Sequence, residues 1–291
     1  TLAHRLPGYF CLPKTPPPAP TCPTFFSKPP PPPPQQASNL KLEFQIFDAI
    51  DKHSDYFKSG LIENSYSPEW LKESEWSKGT HGRKLLPEEL GCYASHYMLW
   101  LKCIELNRPI VILEDDVVLK PHFYESVVHC VQSPFDFVRL FATFWEIKTK
   151  RSAIAHMGGS QVLPTDPKVE VILKEHFYLS FFQVLSTAAY YLTPKAAKAF
   201  VSASLHFTEP VDVFFTLVHT HKIPNLTYIP LSVGFSKYHT ISTIASDDPT
   251  LWTSTHKPSM RFLTRFLTSA FFTARRYYYY RLFLKRYTHL H

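Results

Sequence analysis

The sequence predicts an α/β fold with a mostly parallel central sheet. Two observations carry this prediction. Strand-like and helix-like segments alternate along the chain, and one of the strands, residues 110–113, is a continuous apolar run of the kind that is buried on both faces of a sheet. With 291 residues and 45% hydrophobic side chains, the chain is long enough for a sizeable core and too apolar to be disordered throughout.

The first half of the predicted domain holds strands around one long helix. Residues 42–47 alternate between polar and apolar side chains and predict a strand, whereas residues 51–87 read as a long loop with short helices. From Glu88, apolar residues recur at intervals of three and four, which predicts a helix that ends at Pro109. The residues on its expected inner face are Cys92, His96, Leu99, Cys103 and Leu106. The buried strand 110–113 follows this helix.

The second half continues the alternation of helices and strands. Pro121 suits the first turn of a helix that extends to about residue 131, and residues 136–141 predict a further strand. Residues 148–175 read as an irregular insertion, and residues 184–192 as a strand. Thr193 and Pro194 supply an N-cap and a first-turn proline for a helix over residues 195–204. A short helix opens at Pro210, and residues 226–231 predict a late strand.

The N-terminal end of the chain differs in kind from the rest. Thirteen of the 26 prolines precede Gln35, including the unbroken run from Pro29 to Pro34. Residues 1–38 are therefore predicted to be an extended, disordered, proline-rich leader. A long cytosine run can encode such prolines, and we hypothesise that the residues upstream of Gln35 are read out of frame. Residues 39–258 form the predicted globular domain.

The net charge of +7 lies at the C-terminal end. Residues 260–291 contain seven Lys and Arg residues and no acidic residue, so the remainder is neutral. This distribution argues against a nucleic-acid-binding face across the fold. The basic, aromatic tail, residues 259–291, is typical of a helix that lies on an anionic membrane. RNA binding by stacking and charge, and a helix packed on the domain, are the alternatives. Five cysteines without a metal-binding spacing favour a reduced, intracellular protein.

Three consecutive acids, Glu114, Asp115 and Asp116, directly follow the buried strand. In an extended backbone, Glu114 and Asp116 project to one side and Asp115 to the other. Two carboxylates on one side suit Mg²⁺ or Mn²⁺, an ion that would also hold a diphosphate. The alternative is a solvated acidic turn that caps the next helix.

Other candidate side chains are less specific. His96 is adjacent to Ser95 on the predicted helix, and a hydrogen-bonded core histidine is the simpler interpretation. Asp212, at the start of a short predicted helix, reads by itself as a partner of the helix dipole. No glycine-rich dinucleotide or phosphate-loop motif is present, which weighs against a dehydrogenase and against a kinase.

Several segments together resemble glycosyltransferase family 25, the bacterial lipooligosaccharide galactosyltransferases that are related to collagen galactosyltransferases. The nearest likeness is to the β-1,4-galactosyltransferases of Helicobacter-type lipopolysaccharide synthesis, whose phase variation at cytosine tracts fits the proline run. The segments that carry the resemblance are Phe47-Asp48-Ala49-Ile50, Glu89 to His96 with Trp100, Val111 to Asp116, Ser186 to Tyr190, Thr193 to Ala197, Pro210-Val211-Asp212 and Ile241 to Ile244.

The resemblance implies a GT-A-like nucleotide-sugar transferase fold and an inverting, metal-dependent transfer of galactose from UDP-galactose. It implies Mn²⁺ or Mg²⁺ at Glu114 and Asp116, and it makes Asp212 a catalytic residue, either the general base or an acid that binds the acceptor. Glu89, His96 and Asp115 are expected to shape the donor site. The expected acceptor is a lipid-linked oligosaccharide at the inner face of the cytoplasmic membrane. The alternatives are another donor sugar, glucose or GlcNAc, and an inactive remnant that only binds membranes.

One departure concerns the start of the chain. The family opens with a strand and a Ser-Leu-type turn followed by arginine, and residues 1–38 contain nothing similar. Either the leader replaces the first strand of the family, or the protein lacks this part of the nucleotide pocket and is weakly active or inactive.

Overall fold

The computed structural model describes residues 8–11, 43–51, 61–74, 76, 84–145, 154–156, 170–181, 183–235 and 262–290. The strands are β1 (Gly8–Cys11), β2 (Glu43–Ile46), β3 (Ile110–Leu113), β4 (Val117–Leu119), β5 (Phe137–Arg139), β6 (Thr143–Trp145), β7 (Ile154–His156), β8 (Glu170–Leu173), β9 (Phe177–Ser180), β10 (Gln183–Leu185), β11 (Ala189–Leu192), β12 (Leu226–Tyr228) and β13 (Val233–Phe235). The α-helices are α1 (Leu61–Ser65), α2 (Pro87–Leu106), α3 (Phe123–Gln132), α4 (Pro194–Ala203), α5 (Val211–Phe214), α6 (Val218–His221) and α7 (Phe262–Arg286), and 3-10 turns cover Trp70–Glu73 and Thr288–Leu290.

The fold is built on an eight-stranded sheet in the order β2-β1-β3-β11-β5-β12-β9-β8. Strands β10, β6 and β7 form a separate three-stranded sheet, and β13 pairs with β4. In the large sheet, β5 and β12 are parallel, and the other described pairings are antiparallel.

The expectation of a mostly parallel sheet is therefore wrong, although the α/β class is confirmed. The expectation rested on the continuous burial of β3, and that burial is real, because all four of its residues are buried. Burial on both faces needs cover on both sides of the sheet and does not fix the direction of the neighbouring strands. The connections also argue against a mostly parallel sheet. Strands β8 and β9 are joined by a tight turn at residues 174–176, which forces them to run antiparallel.

Alternate residues of β3 contribute to two cores, one on each face of the sheet. Val111 and Leu113 belong to a core that α3 covers, and Ile110 and Ile112 belong to a core that α2 and α4 cover. In the second core, aromatic rings cluster around Trp100, which is fully buried. These two layers hold β3 rigidly, and the acidic triplet follows its last residue.

Most of the predicted helices and strands are present. Helix α2 begins at Pro87 and buries His96, Leu99 and Cys103, as its apolar spacing predicts. Helix α4 begins with the predicted cap, since the Thr193 hydroxyl accepts a hydrogen bond from the Ala196 amide at 3.3 Å. The predicted strand 184–192 is two strands, β10 and β11, because Ser186 between them has a positive φ of 93°.

The leader contains a strand where the sequence predicts none. Strand β1 lies between β2 and β3 and is antiparallel to both, so the prediction of a disordered leader is wrong for these four residues. The reason is local, because Gly8–Cys11 lies in a proline-free stretch between Pro7 and Pro13 and can donate to both neighbouring strands. A leader segment thus occupies the sheet position beside β3. The proline run itself and Ile241 to Ile244 lie outside the described residues.

The basic C-terminal helix is confirmed as α7. Its last turns pack on the body of the protein, because Tyr280, Phe283 and Tyr287 are buried in the core that α3 covers. Within the part of the chain that the structure describes, every helix is too short or too polar to cross a bilayer.

Candidate active site

The acidic triplet lies where β3 ends. The Glu114 amide donates to the carbonyl of Ala188 at 2.8 Å, which fixes the backbone beside β11. Asp115 and Asp116 form a turn, so the alternation expected for an extended backbone does not continue past Glu114. Glu114 and Asp116 are nevertheless half-buried while Asp115 is exposed. The structure thus separates Asp115 from the other two by exposure.

Two side chains hold the Glu114 carboxylate. The Thr187 hydroxyl donates to Glu114 Oε1, and His96 Nε2 lies 3.4 Å from the same oxygen. His96 is 3% exposed, so the predicted core histidine is also a site residue. Its other ring nitrogen, Nδ1, lies 2.8 Å from the Tyr190 hydroxyl. An N–H on Nε2 that faces the carboxylate, with Tyr190 donating to Nδ1, satisfies both contacts.

A buried hydrogen-bond chain extends this arrangement. Trp100 Nε1 donates to the Tyr190 hydroxyl at 3.0 Å, so Trp100, Tyr190, His96 and Glu114 follow one another from the core to the site. Each member fixes the orientation of the next. The Glu114 carboxylate is therefore held in one orientation.

Asp212, near the start of α5, lies on the other side of the same loop. Its Oδ1 accepts the Val213 amide at 2.8 Å, and the Ser186 amide also donates to the carboxylate. Burial raises the pKa of Asp212 and the negative charge of Glu114 adds to the rise, whereas Arg139 and the two amides lower it. Because Ser186 holds Asp212 and Thr187 holds Glu114, two adjacent residues bring both acids to one site.

Arg139 is a site residue that the sequence analysis did not single out. It is the last residue of β5, is fully buried, and donates from Nε to Asn225 Oδ1 at 2.8 Å and from Nη1 to the carbonyl of Ser186. Burial lowers the pKa of Arg139 to about 9, against the negative charge of Asp212. The available signal was one charged side chain inside the apolar strand 137–141.

Near Glu114 and His96, Cys92 adds a thiol as a third potential metal ligand. One ligand atom each of Cys92, His96 and Glu114 lies within 4.8 Å of the others. Burial raises the pKa of the Cys92 thiol well above its ordinary value, and the charges of Glu114 and Asp212 raise it further. The grouping is the one set of three such side chains found among the described residues, and it does not include Asp115 or Asp116.

Glu89 has a structural role that the sequence analysis did not predict. Its Oε2 accepts the Leu86 amide at 2.8 Å and so satisfies a free donor at the start of α2. Glu89 also lies close enough to Cys92 for its charge to raise the pKa of the thiol. A contact between Glu89 and the nucleotide-sugar donor stays a prediction.

The fold and the site define an α/β protein with a carboxylate, a histidine and a second acid gathered at the end of a buried strand. The family model described as "Glycosyltransferase family 25 (LPS biosynthesis protein)" matches residues 34–215, more than half of the chain. The chain belongs to glycosyltransferase family 25.

Curated relatives match a shorter segment. A glycosyltransferase 25 family member of Drosophila pseudoobscura pseudoobscura is 37% identical over 49 residues, which are 16% of this chain and 8% of the relative. One from Aedes aegypti is 38% identical over 48 residues, again 16% of this chain and 8% of the relative. The matched segment thus spans less than a tenth of the length of these relatives.

Proposed function

We propose that this protein transfers galactose from UDP-galactose to a hydroxyl of a lipid-linked oligosaccharide of the lipopolysaccharide type, with inversion at the anomeric carbon. One observation supports this function above the others. In a family 25 chain, Ser186 and Thr187 bring an acid of raised pKa, Asp212, beside an oriented carboxylate, Glu114. A GT-A-like arrangement of the donor pocket around the end of β3 is part of the proposal.

Asp212 is the proposed general base. Its carboxylate would accept the proton of the acceptor hydroxyl while the hydroxyl oxygen forms a bond to the anomeric carbon and UDP leaves with the electrons of the broken bond. A carboxylate whose pKa is raised by burial is a stronger base than a solvated one. The Ser186 and Val213 amides keep it ionised and oriented.

Glu114 and Asp116 are the proposed holders of Mn²⁺ or Mg²⁺. The donor chemistry fits, because both side chains offer the oxygen ligands that hard divalent ions prefer, and both are half-buried at the same strand end. The bound ion would offset negative charge on the leaving diphosphate. His96 and Thr187 hold Glu114 in place for this role, and Glu89 and Asp115 are proposed to shape the donor pocket.

The test is the transfer of label from tritiated UDP-galactose to lipooligosaccharide or to a GlcNAc-terminated acceptor, with Mn²⁺ present. We expect wild-type transfer, loss of transfer in Asp116→Asn, and a fall of about 100- to 10,000-fold in Asp212→Asn with UDP binding retained. Asp136→Asn is the control, because Asp136 pairs with Lys195 at 2.6 Å outside the proposed machinery. Absence of transfer by the wild type, or equal transfer by Asp116→Asn, would refute the proposal.

Two alternatives are separated by the same assay. UDP-glucose and UDP-GlcNAc, offered in parallel, test another donor sugar. The second alternative, from a different class of protein, is an inactive remnant that only binds membranes. It predicts that the chain floats with liposomes and does not bind UDP.

We further propose that α7 holds the protein on an anionic membrane at the cytoplasmic face. The outward side of α7 is apolar, since Leu267 is 56%, Phe271 60% and Tyr278 60% exposed, while its inward side packs in the core. Exposed Arg281, Lys285 and Arg286 continue the outward side towards the C-terminus. Apolar side chains next to cations match the interface of an anionic bilayer.

A further inference from the structure

A cavity that is open to solvent on one side lies between α7 and the body of the protein. The free space, including its open mouth, is about 390 Å³. Polar and apolar side chains from residues 179–181 and from the segment 216–225 form one wall, and α7 forms the other. The lining residues that matter are Ser180, Thr216, Asn225, Arg276, Tyr280 and Phe283.

Arg276 is the cation of this cavity. Its Nη1 is shielded from water and has no hydrogen-bond acceptor among the described residues. Burial and the like charge of Arg275 lower the pKa of Arg276 to about 10, and no carboxylate of the described residues opposes them. The side chain therefore remains charged at neutral pH, and the part of the chain that the structure describes supplies no counter-ion to it. An enclosed charge of this kind is costly unless an anion joins it.

The polar wall is already organised by the protein. The Thr216 hydroxyl donates to the carbonyl of Val213 at 2.7 Å, and Asn225 accepts from Arg139. These side chains are held in place before any ligand arrives. A planar guanidinium recognises tetrahedral and carboxylate oxyanions through paired hydrogen bonds.

We propose that this cavity is a binding site for a phosphate group, held by Arg276 between α7 and the body of the protein. Arg276 is not part of the machinery proposed for sugar transfer, so the two proposals can fail separately. The phosphate can come from solution or from a lipid headgroup, because the mouth lies beside the helix proposed to rest on the membrane.

The first arm uses inorganic phosphate and the full chain. Thermal unfolding is followed as phosphate replaces chloride at constant ionic strength, for wild type, Arg276→Gln and Arg281→Gln. Arg281 is the matched control because it is an exposed arginine of the same helix. We expect a saturable rise in the Tm of wild type and Arg281→Gln, and at least about tenfold weaker phosphate binding in Arg276→Gln. A rise of equal size in Arg276→Gln would overturn the proposal.

The second arm tests the lipid source. Flotation is measured with phosphatidylcholine vesicles, with and without phosphatidic acid. If the headgroup fills the cavity, Arg276→Gln floats less with phosphatidic acid than Lys198→Gln does, although both variants lose one charge, because Lys198 is an exposed cation of α4 outside the proposed membrane face. A phosphate-dependent Tm with equal flotation of the two variants identifies a soluble phosphate. The proposal is wrong if Arg276 affects neither measurement.

A third variant covers the case in which Arg276→Gln folds poorly. Arg276→Met removes the uncompensated charge and keeps the long stem, so it should melt no lower than wild type in phosphate-free buffer. It should also show no response to phosphate. A phosphate response that persists in Arg276→Met overturns the proposal.

Discussion

Arg139 Nη2 donates to the main-chain carbonyl of Asp212 at 3.3 Å, at the end of β5 and inside the protein. The pair couples a fully buried cation to the acid that we propose as the base. Burial raises the pKa of the Asp212 carboxyl, and the charge of Arg139 opposes that rise. The pH at which Asp212 becomes a base therefore depends on a residue that need not touch the substrate.

Removal of this charge should move the acid limb of the pH–rate profile. In Arg139→Met the pKa of Asp212 rises further, so the carboxylate exists only at higher pH and the acid limb of kcat/KM shifts upward. The measurement is kcat/KM for sugar transfer against pH, with Lys195→Met as the control because Lys195 is an exposed cation paired with Asp136. An unchanged or downward-shifted limb in Arg139→Met would show that Asp212 is not the base.

The hydrogen-bond chain behind Glu114 gives a second prediction. Tyr190→Phe removes the hydroxyl that links Trp100 to His96, so His96 loses its orientation and Glu114 its partner. We expect the Mn²⁺ concentration for half-maximal transfer to rise by about 10- to 100-fold, the usual effect of losing a group that orients a metal ligand. Tyr191→Phe is the control, because Tyr191 belongs to the core on the opposite face of the sheet. Equal metal dependence in the two variants contradicts the role given to Tyr190.

A third prediction concerns how the segment before α2 docks. A Cβ on Gly91 would lie 2.4 Å from the carbonyl oxygen of Ile50, and the Ile50 amide donates to Ser95 Oγ at 2.8 Å. Helix propensity alone would make Gly91→Ala stabilising by about 1 kcal/mol, but the clash should reverse the sign and destabilise by about 1–3 kcal/mol.

Urea unfolding measures this effect. Gly234→Ala is the control, because among the described residues its Cβ would meet only the Cε of Lys120, at 3.7 Å. That variant should stay within about 0.5 kcal/mol of wild type. A Gly91→Ala protein as stable as Gly234→Ala would mean that Ile50 does not lie against α2.

Local patterns predicted the elements well because local chemistry determines them. The apolar spacing of α2, the Thr193 cap of α4 and the buried run of β3 each depend on neighbours in the chain. Strand direction does not, since it is set by which distant strands pair, and the strand β1 in the leader shows that a short proline-free stretch suffices for pairing. The prediction of a mostly parallel sheet was wrong for this reason.

The site was predictable to the extent that it follows a motif. The acidic triplet after the buried strand pointed to Glu114, and the family resemblance gave His96 and Asp212 their expected roles. Ser186 and Thr187, which hold Asp212 and Glu114, lie in a segment that the resemblance includes. Their role depends on a positive φ at Ser186 and on contacts over long separations in sequence. Arg139 was missed because a single charged residue in a strand does not indicate which distant residue it contacts, here Asp212.

The outward face of α7 leads to a fourth prediction. If this face rests on a bilayer, Phe271→Ser with Leu267→Ser should reduce flotation with anionic vesicles, because two exposed apolar side chains no longer enter the interface. Thr288→Ala is a control at the same end of the chain as the basic residues and is also exposed. Flotation of the double variant equal to that of wild type would remove α7 as the contact and would favour a tail that only packs on the domain.

The last prediction uses Glu209, three residues before the proposed base. Its side chain is 4% exposed, and burial raises its pKa to about 7 while a hydrogen bond from Thr208 at 2.7 Å opposes the rise. The folded protein therefore binds a proton at Glu209 that the unfolded chain releases near its ordinary pKa of 4.5. Stability should be fully retained below that value and should fall as the pH rises towards about 7.

Glu209→Gln removes the titrating group and should flatten this dependence. We expect the variant to match wild type at pH about 4 and to exceed it by up to about 3 kcal/mol at pH about 8, because only wild type then carries the buried charge. Urea unfolding at the two pH values measures the difference. Glu105→Gln is the control, because the Glu105 side chain is 68% exposed beside Lys102 and should change stability little at either pH. A Glu209→Gln variant with the slope of wild type would place Glu209 in water rather than in the core.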